Sequence, residues 1–232
     1  LTDLPIGFWT SASVFDALDM LGGEQWRPAA DLTLAAGVAC AVPTAMSGLA
    51  DWQFTMDEPR RVGYAHAALN SGALALCIWS LLLRRRGARS SGRGVALAGF
   101  TLATVSAYLG GDLIGKYRVG VDHSRGAALP ADFVAVAHDA EIVEGKPHRV
   151  QANGQDVVIV RQNGQLYALA NTCAHLGGPL AEGQLRDDGI VCPWHGSCFA
   201  LDDGRVLDGP SPFPQPTLET RVRDGKVEVR RT

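Results

Sequence analysis

Charge is scarce in this sequence. Asp, Glu, Lys and Arg make up 19% of its 232 residues, 24 acidic against 21 basic, for a formal net charge of −3. Neither half displays a concentrated basic recognition surface, and the one arginine-rich connector has a simpler topological reading, so a nucleic-acid partner is not expected. A motif for holding a nicotinamide or flavin is missing, and so is a facial triad for a mononuclear iron. The chain is therefore not expected to hydroxylate a substrate by itself. A basic leading region and a small-residue cleavage site are lacking too, which argues against a signal peptide. The first residue is Leu1 rather than Met, and a preceding piece is expected.

What is present divides unevenly. Up to Pro130 the chain is dominated by Ala, Gly, Leu and aromatic residues in long weakly charged runs, with 10 acidic and 11 basic residues; from Ala131 onward short alternating segments carry 14 acidic and 10 basic residues. Four apolar segments occupy the first part: residues 4–21, 32–52, 65–83 and 94–114. Each is close to the roughly 20 residues needed to cross hydrocarbon. Asp16 and Asp19 in the first are costly against lipid and are expected inside a helix bundle or at its end. Pro43 predicts a bend in the second. The expected architecture is multi-domain: an all-α four-helix transmembrane bundle over 1–115, a linker over 116–130, and an all-β domain over 131–232.

Arg84, Arg85, Arg86, Arg89 and Arg93 bracket the turn between the third and fourth segments. By the positive-inside rule this turn is cytoplasmic, and four spans then leave the C-terminal half on the periplasmic or extracytoplasmic side. A solvated basic turn is the simpler reading of the charge alone. Arg60 and Arg61 fall on the opposite side.

In the second half Cys173-x-His175 is followed, after sixteen residues, by Cys192-x-x-His195. Two thiolates and two imidazoles fit an asymmetric [2Fe-2S] cluster with sulfur on one iron and nitrogen on the other. Two Cys and two His also make a tetrahedral zinc site. The usual zinc pattern keeps Cys with Cys and His with His, whereas each arm here carries one of each. Together with the continuations His-Leu-Gly-Gly-Pro and His-Gly-Ser, the arrangement resembles the Rieske family.

That resemblance implies that Cys173 and Cys192 bind a buried iron, that His175 and His195 bind the outer one, and that the histidine edges face a partner. It implies that Gly177, Gly178 and Gly196 admit backbone close to the cluster, and that residues 209–214 (GPSPFP) form its covering proline loop. Subunits of quinol-oxidising complexes generally add one cysteine per arm, joined as a disulfide; the matching positions here are Gly178 and Trp194. The chain thus looks more like a Rieske-type ferredoxin. Ser197 is retained as a donor toward a cluster sulfide, while Phe199 stands where high-potential relatives often have Tyr, so a lower potential is expected. With two cysteines assigned to metal, the remaining three do not build a disulfide scaffold. Cys40 and Cys77 read as packing residues, and Cys198 is not taken as a ligand.

The first half resembles small four-helix bacterial membrane domains of uncharacterised function, sometimes fused to Rieske domains. The likeness lies in residues 2–9 (Thr2 to Trp9), 63–66 (Gly63 to His66) and 110–112. His66 is a candidate axial ligand for haem b, alone or with His123, and otherwise a buried hydrogen-bonding residue. Asp16, Asp51 and Asp112 are candidates for cross-helix hydrogen bonds or for a quinone or proton site. In the second half, Phe133 to Ala137, Val157 to Val160 and Leu166 to Leu169 read as strands. Asn163-Gly164, Asp203-Gly204 and Asp224-Gly225 read as turns. The expected function is a membrane-anchored one-electron carrier in the lipid bilayer, exchanging electrons with membrane redox proteins. The alternatives are a quinol-oxidising or haem-containing respiratory subunit, and an assembly subunit stabilised by its cluster.

Overall fold

The computed structural model describes residues 3–232; Leu1 and Thr2, and with Thr2 the start of the motif over residues 2–9, lie outside the described residues. Helices α1 (Asp3–Met20), α2 (Arg27–Trp52), α3 (Asp57–Arg85) and α4 (Arg89–Gly115) come first. Strands β1 (Val134–His138), β2 (Pro147–Ala152), β3 (Gln155–Gln162), β4 (Gln165–Ala170) and β5 (Gln184–Arg186) follow. The chain ends with β6 (Gly189–Val191), β7 (Cys198–Ala200), β8 (Val206–Asp208), β9 (Thr217–Arg223) and β10 (Lys226–Arg231). Two compact units result, Leu1–Val119 and Gly120–Thr232.

The helices outrun the apolar segments because their polar ends suit a helix. Asp57 and Glu58 lie in the first turn of α3 and Arg84 and Arg85 in its last, each sign at the end where the helix dipole favours it. Pro43 sits within α2, which continues through it to Trp52. The interior is built from small residues: Ala12, Ala30, Gly37, Gly63, Ala73, Gly92, Ala96, Gly99 and Ala103 are all buried. A Cβ at Gly99 would lie 3.1 Å from the Ala73 carbonyl oxygen and 3.2 Å from Cys77 Sγ, and one at Gly37 would overlap the Trp9 indole. Large apolar side chains point outward instead, among them Leu32, Met46, Leu49, Trp79, Leu97 and Val105. Small inside and large apolar outside is the pattern of helices that pack against one another in lipid. Among the described residues three stretches are long and apolar enough to cross a membrane: Glu24–Trp52, Asp57–Arg85 and Arg89–Gly115.

Helix α1, shorter at 18 residues, buries Asp16 and Asp19. Asp16 meets Arg84 through both carboxylate oxygens, Arg84 Nη1 also donates to Asp31 Oδ1 (2.8 Å), and its Nε donates to Ser80 Oγ (3.2 Å). Arg89 Nε donates to Asp19 Oδ2 (3.0 Å) and its Nη1 to Asp31, while Arg27 Nε reaches Asp19 Oδ1 at 2.9 Å. The arginine-rich turn is therefore not the uniformly solvated basic loop its composition suggests. Arg85 and Arg86 are exposed, whereas Arg84 and Arg89 turn inward to neutralise aspartates from α1 and α2.

In the second unit a six-stranded antiparallel sheet has the order β1-β10-β9-β4-β3-β2, and a four-stranded sheet the order β5-β6-β7-β8. Strand β3 is buried on both faces. Val157 and Ile159 enter one core with Ala168, Val227 and Val229, while Val158 and Val160 enter the other with Leu169, Ile190 and Phe199. The period-two alternation of a strand makes this division automatic. The β3–β4 and β9–β10 turns place Asn163-Gly164 and Asp224-Gly225 at positive φ, as a two-residue turn matched to strand twist requires. Asn153-Gly154 does the same between β2 and β3. Residues 120–130 belong with this unit, and Leu129 packs on its first-named core.

Candidate metal centre

Two loops at one end of the β unit carry the Cys/His arms: residues 171–179 after β4, and 192–197 between β6 and β7. They share one backbone design. In the first, Cys173 N donates to Gly178 O (2.8 Å) and Gly177 N to Cys173 O (2.9 Å); in the second, Cys192 N donates to Ser197 O (2.8 Å) and Gly196 N to Cys192 O (3.1 Å). Gly177 and Gly196 close the loops at φ +82° and +80°, a conformation side chains rarely adopt. Cys173 and Cys192 thus occupy equivalent places, with the imidazole two residues later in one arm and three in the other.

This design directs unlike donors to unlike depths. Both cysteines are buried in the same core as Val158 and Phe199, while His175 and His195 are half-buried. The imidazoles cross edge to face with centroids 5.0 Å apart. The two thiols face one another: the Cys173 thiol pulls Cys192 down to about 6, helped by the backbone N–H groups of Trp194 and His195, while the Cys192 thiol and burial together raise Cys173. Backbone N–H groups of His175 and Leu176 point at the Cys173 sulfur in the same way. Amides converging on both sulfurs favour thiolates, the form that binds metal.

The donors arrive two by two. Among the described residues no three His, Cys, Asp or Glu converge as a single ion demands. Thiols paired in the core and imidazoles paired at half-buried positions fit a two-iron cluster with sulfur ligands at one end and nitrogen at the other. The space between the arms is tightly limited as well: a Cβ on Gly178 would stand 2.8 Å from Cys192 Sγ and 3.0 Å from the Trp194 ring. The two positions expected to lack a disulfide are thus in contact, the Trp194 indole lying on Gly178 across the arms. The five cysteines are all free, and Cys198 is fully buried beside β6, where a Cβ on Gly189 would lie 2.8 Å from its sulfur.

Burial holds His175 down at about 4, with the neighbouring charges of His195 and His123 adding to the effect, and burial lowers His195 in the same direction. In metal-free protein a depressed histidine contributes stability that is complete above the unfolded value near 6.5 and is lost as pH falls toward 4. Denaturant unfolding of the metal-free protein between pH 7 and 4 is expected to show this loss, and His175→Ala is expected to flatten the slope.

Other candidates fall elsewhere. His66 has both ring nitrogens engaged: Nδ1 lies 2.9 Å from the Ser106 carbonyl oxygen and Nε2 is 3.0 Å from Asn70 Nδ2. That is the hydrogen-bonding role rather than the axial one, and haem draws no support from it. Asp16 forms the cross-helix bond expected of it, Asp51 is exposed, and Asp112 is half-buried. Ser197 is fully buried, and Ser211 in the proline loop donates its N–H to Ser197 Oγ (3.0 Å). Sequence reasoning missed Gln215, a buried amide set between prolines, where no spacing or motif singles it out.

A family model described as Rieske [2Fe-2S] domain matches residues 132–219, and one described as predicted membrane protein (DUF2231) matches residues 1–123, more than half of the chain. Ferredoxin CarAc of Metapseudomonas resinovorans is 32% identical over 98 residues, 42% of this chain and 92% of that protein. The cytochrome b6-f complex iron-sulfur subunit of Chlorobaculum tepidum is 32% identical over 96 residues, 41% of this chain and 52% of the subunit. Human apoptosis-inducing factor 3 is 34% identical over 103 residues, 44% of this chain and 17% of that protein. The chain therefore spans only a minor part of the last protein and about half of the subunit. Among solved structures, the ferredoxin of carbazole 1,9a-dioxygenase from Nocardioides aromaticivorans IC177 aligns over 100% of its length with 44% of this chain, at 25% identity and a TM-score of 0.42.

Proposed function

The chain belongs to the DUF2231 family of predicted membrane proteins and carries a Rieske [2Fe-2S] domain, and from this premise we propose that it is a membrane-anchored one-electron carrier. Cys173 and Cys192 would hold one iron of the cluster, and His175 and His195 the other. Bound there, the cluster supplies reversible one-electron chemistry at a potential set by its hydrogen bonds and exposure. The observation that carries the reading is the pair of equivalent loops, which bury both thiols and bring both imidazoles together at half-buried positions.

The chain's own residues account for the rest. Amides of the two loops point at the sulfurs and favour their anionic form. Phe199, Leu180 and Ile190 exclude water behind the cysteines. A neutral ligating imidazole keeps one ring N–H, which holds or releases a proton as charge changes at the site. Trp194 is 50% exposed, with its ring centroid 6.3 Å from that of His195, which supports partner contact at this edge. Aromatic side chains are the usual anchors of such contacts. Gly178 and Trp194 take the places of the disulfide of the quinol-oxidising class, which favours a carrier that passes electrons between proteins.

By the positive-inside rule the arginine-bearing end of α3 and α4 faces the cytoplasm in this reading. On this reading the redox unit lies on the extracytoplasmic side of a bacterial cell membrane; α4, with 27 residues or roughly 40 Å at 1.5 Å per residue, is long enough to cross it. The test is iron and sulfide analysis of detergent-purified full-length protein, with reduced-minus-oxidised spectra and low-temperature EPR. Two irons and two sulfides per chain, reduced and reoxidised by one electron, are expected; bound zinc, or a cluster that cannot be reduced reversibly, overturns the carrier.

A further inference from the structure

The second arm is closed by a strand ladder, since Val191 at its entry pairs with Cys198 at its exit. The first arm has no such ladder. Its base is joined by one isolated bridge, Thr172 to Pro179, and by Asn171, whose carbonyl and side-chain oxygens accept the N–H groups of Leu180 and Ala181. Nothing in that base fixes the peptide between Cys173 and His175, which sets how the sulfur and nitrogen donors are disposed to one another. That peptide belongs to Ala174.

Both polar groups of Ala174 are held from outside the arm. Its N–H donates to Gln215 Oε1 at 2.9 Å, and its carbonyl accepts the backbone N–H of His123 at 2.9 Å. Gln215 is 2% exposed, and its Nε2 donates to Ala170 O (2.7 Å) and Thr172 O (2.8 Å), so one side chain spans the arm from base to tip. Gln215 is itself held: its N–H donates to Gly204 O at 2.8 Å, in a turn where any Cβ on Gly204 would run into the Gln215 carbonyl. From the other side the His123 ring covers Gly177, with Nδ1 3.5 Å from where a Cβ would stand. His123 lies outside the residues matched by the Rieske model.

We propose that Gln215 and His123 are positioning residues that fix the first cluster arm from two sides, a reading that rests on the cluster assigned above. The connector leaving the helical unit is thereby part of the arm, because its backbone supplies one of the two bonds to Ala174. A buried amide making three hydrogen bonds is replaced poorly by an apolar side chain, since two carbonyls and one N–H lose their partners at once.

The test uses the full-length protein with Gln215→Met, His123→Ala, which keeps the donated N–H and removes the ring, and His123→Pro, which removes the N–H. Val229→Ala, in the core of the large sheet away from both arms, is the control for simple destabilisation. Backbone hydrogen exchange, the EPR line shape of the reduced protein and the midpoint potential are read together. Gln215→Met is expected to exchange about tenfold faster over residues 173–178, with residues 192–197 unchanged, and to shift both line shape and potential. His123→Pro should act in the same direction, and His123→Ala less. Val229→Ala should lower the melting temperature and move neither signal. Unchanged exchange in the first arm of both Gln215→Met and His123→Pro overturns the proposal, as does a control that shifts the signals equally. Wild-type protein without iron would sink the carrier reading instead, while exchange in the first arm would still decide the positioning roles.

Discussion

Alanine in place of Cys192 is expected to cut bound iron by more than tenfold and to abolish the visible and EPR signals, while Cys198→Ala keeps them. Loss of an outer-shell partner alone costs roughly 10–100-fold in metal affinity, and an inner ligand costs more. The comparison is informative because both cysteines are buried, Cys192 at 3% and Cys198 at 0% exposure, and belong to the same stretch of chain. Burial therefore does not distinguish them; the Cys192 thiol faces that of Cys173, whereas Cys198 Sγ lies against Gly189 of β6. Gly178→Ala is expected to fall between them, since its Cβ would press on Cys192 Sγ from 2.8 Å. Iron analysis after gel filtration, with circular dichroism to follow the fold, decides the matter. Signals that survive Cys192→Ala would remove this residue from the site.

Arg84→Ala is expected to destabilise the helical unit by about 3–5 kcal/mol, the usual result of stranding a buried charge. The Arg84 side chain is 2% exposed and Asp16 10%, and their contact joins α3 to α1. Removing the guanidinium leaves Asp16 without its principal partner and leaves Ser80 Oγ without the Arg84 Nε donor. Asp16→Ala on top of Arg84→Ala is expected to recover part of the loss, because a missing pair costs less than an uncompensated charge. Arg85→Ala, at an exposed position in the same turn, should stay within about 0.5 kcal/mol. Unfolding in mixed micelles measures all three. Equal losses for Arg84 and Arg85 would mean that the inward pairing contributes little.

The candidate ligands were legible because the two Cys/His arms are local. Two loops of a few residues each contain their own candidate donors, their own glycine at positive φ and their own closing hydrogen bonds, so spacing marks the arms and the family resemblance proposes the cluster. The strands were legible for a similar reason. Val157 to Val160 is an uninterrupted apolar run because both faces of β3 are covered, and Asn-Gly or Asp-Gly marks the hairpins by backbone preference. The helical half was legible from composition, since few charged residues over long runs leave little choice of surroundings.

What pattern could not supply was the pairing of distant polar groups. A row of arginines looks the same in sequence whether it faces water or aspartates, and only folding brought Arg84 to Asp16, 68 positions away. His66 reads as a candidate ligand or as a buried hydrogen-bonding residue until Ser106, 40 positions on, is placed against it. Gln215 has no local signature, and its bond to Ala174 spans 41 positions. By itself the sequence supplied the candidate donors, the turn positions and the apolar character of the helices, all of which follow from neighbours in the chain. Only the tertiary structure decided which buried charges are neutralised and what holds the first arm, because a hydrogen bond depends on separation in space and not along the backbone.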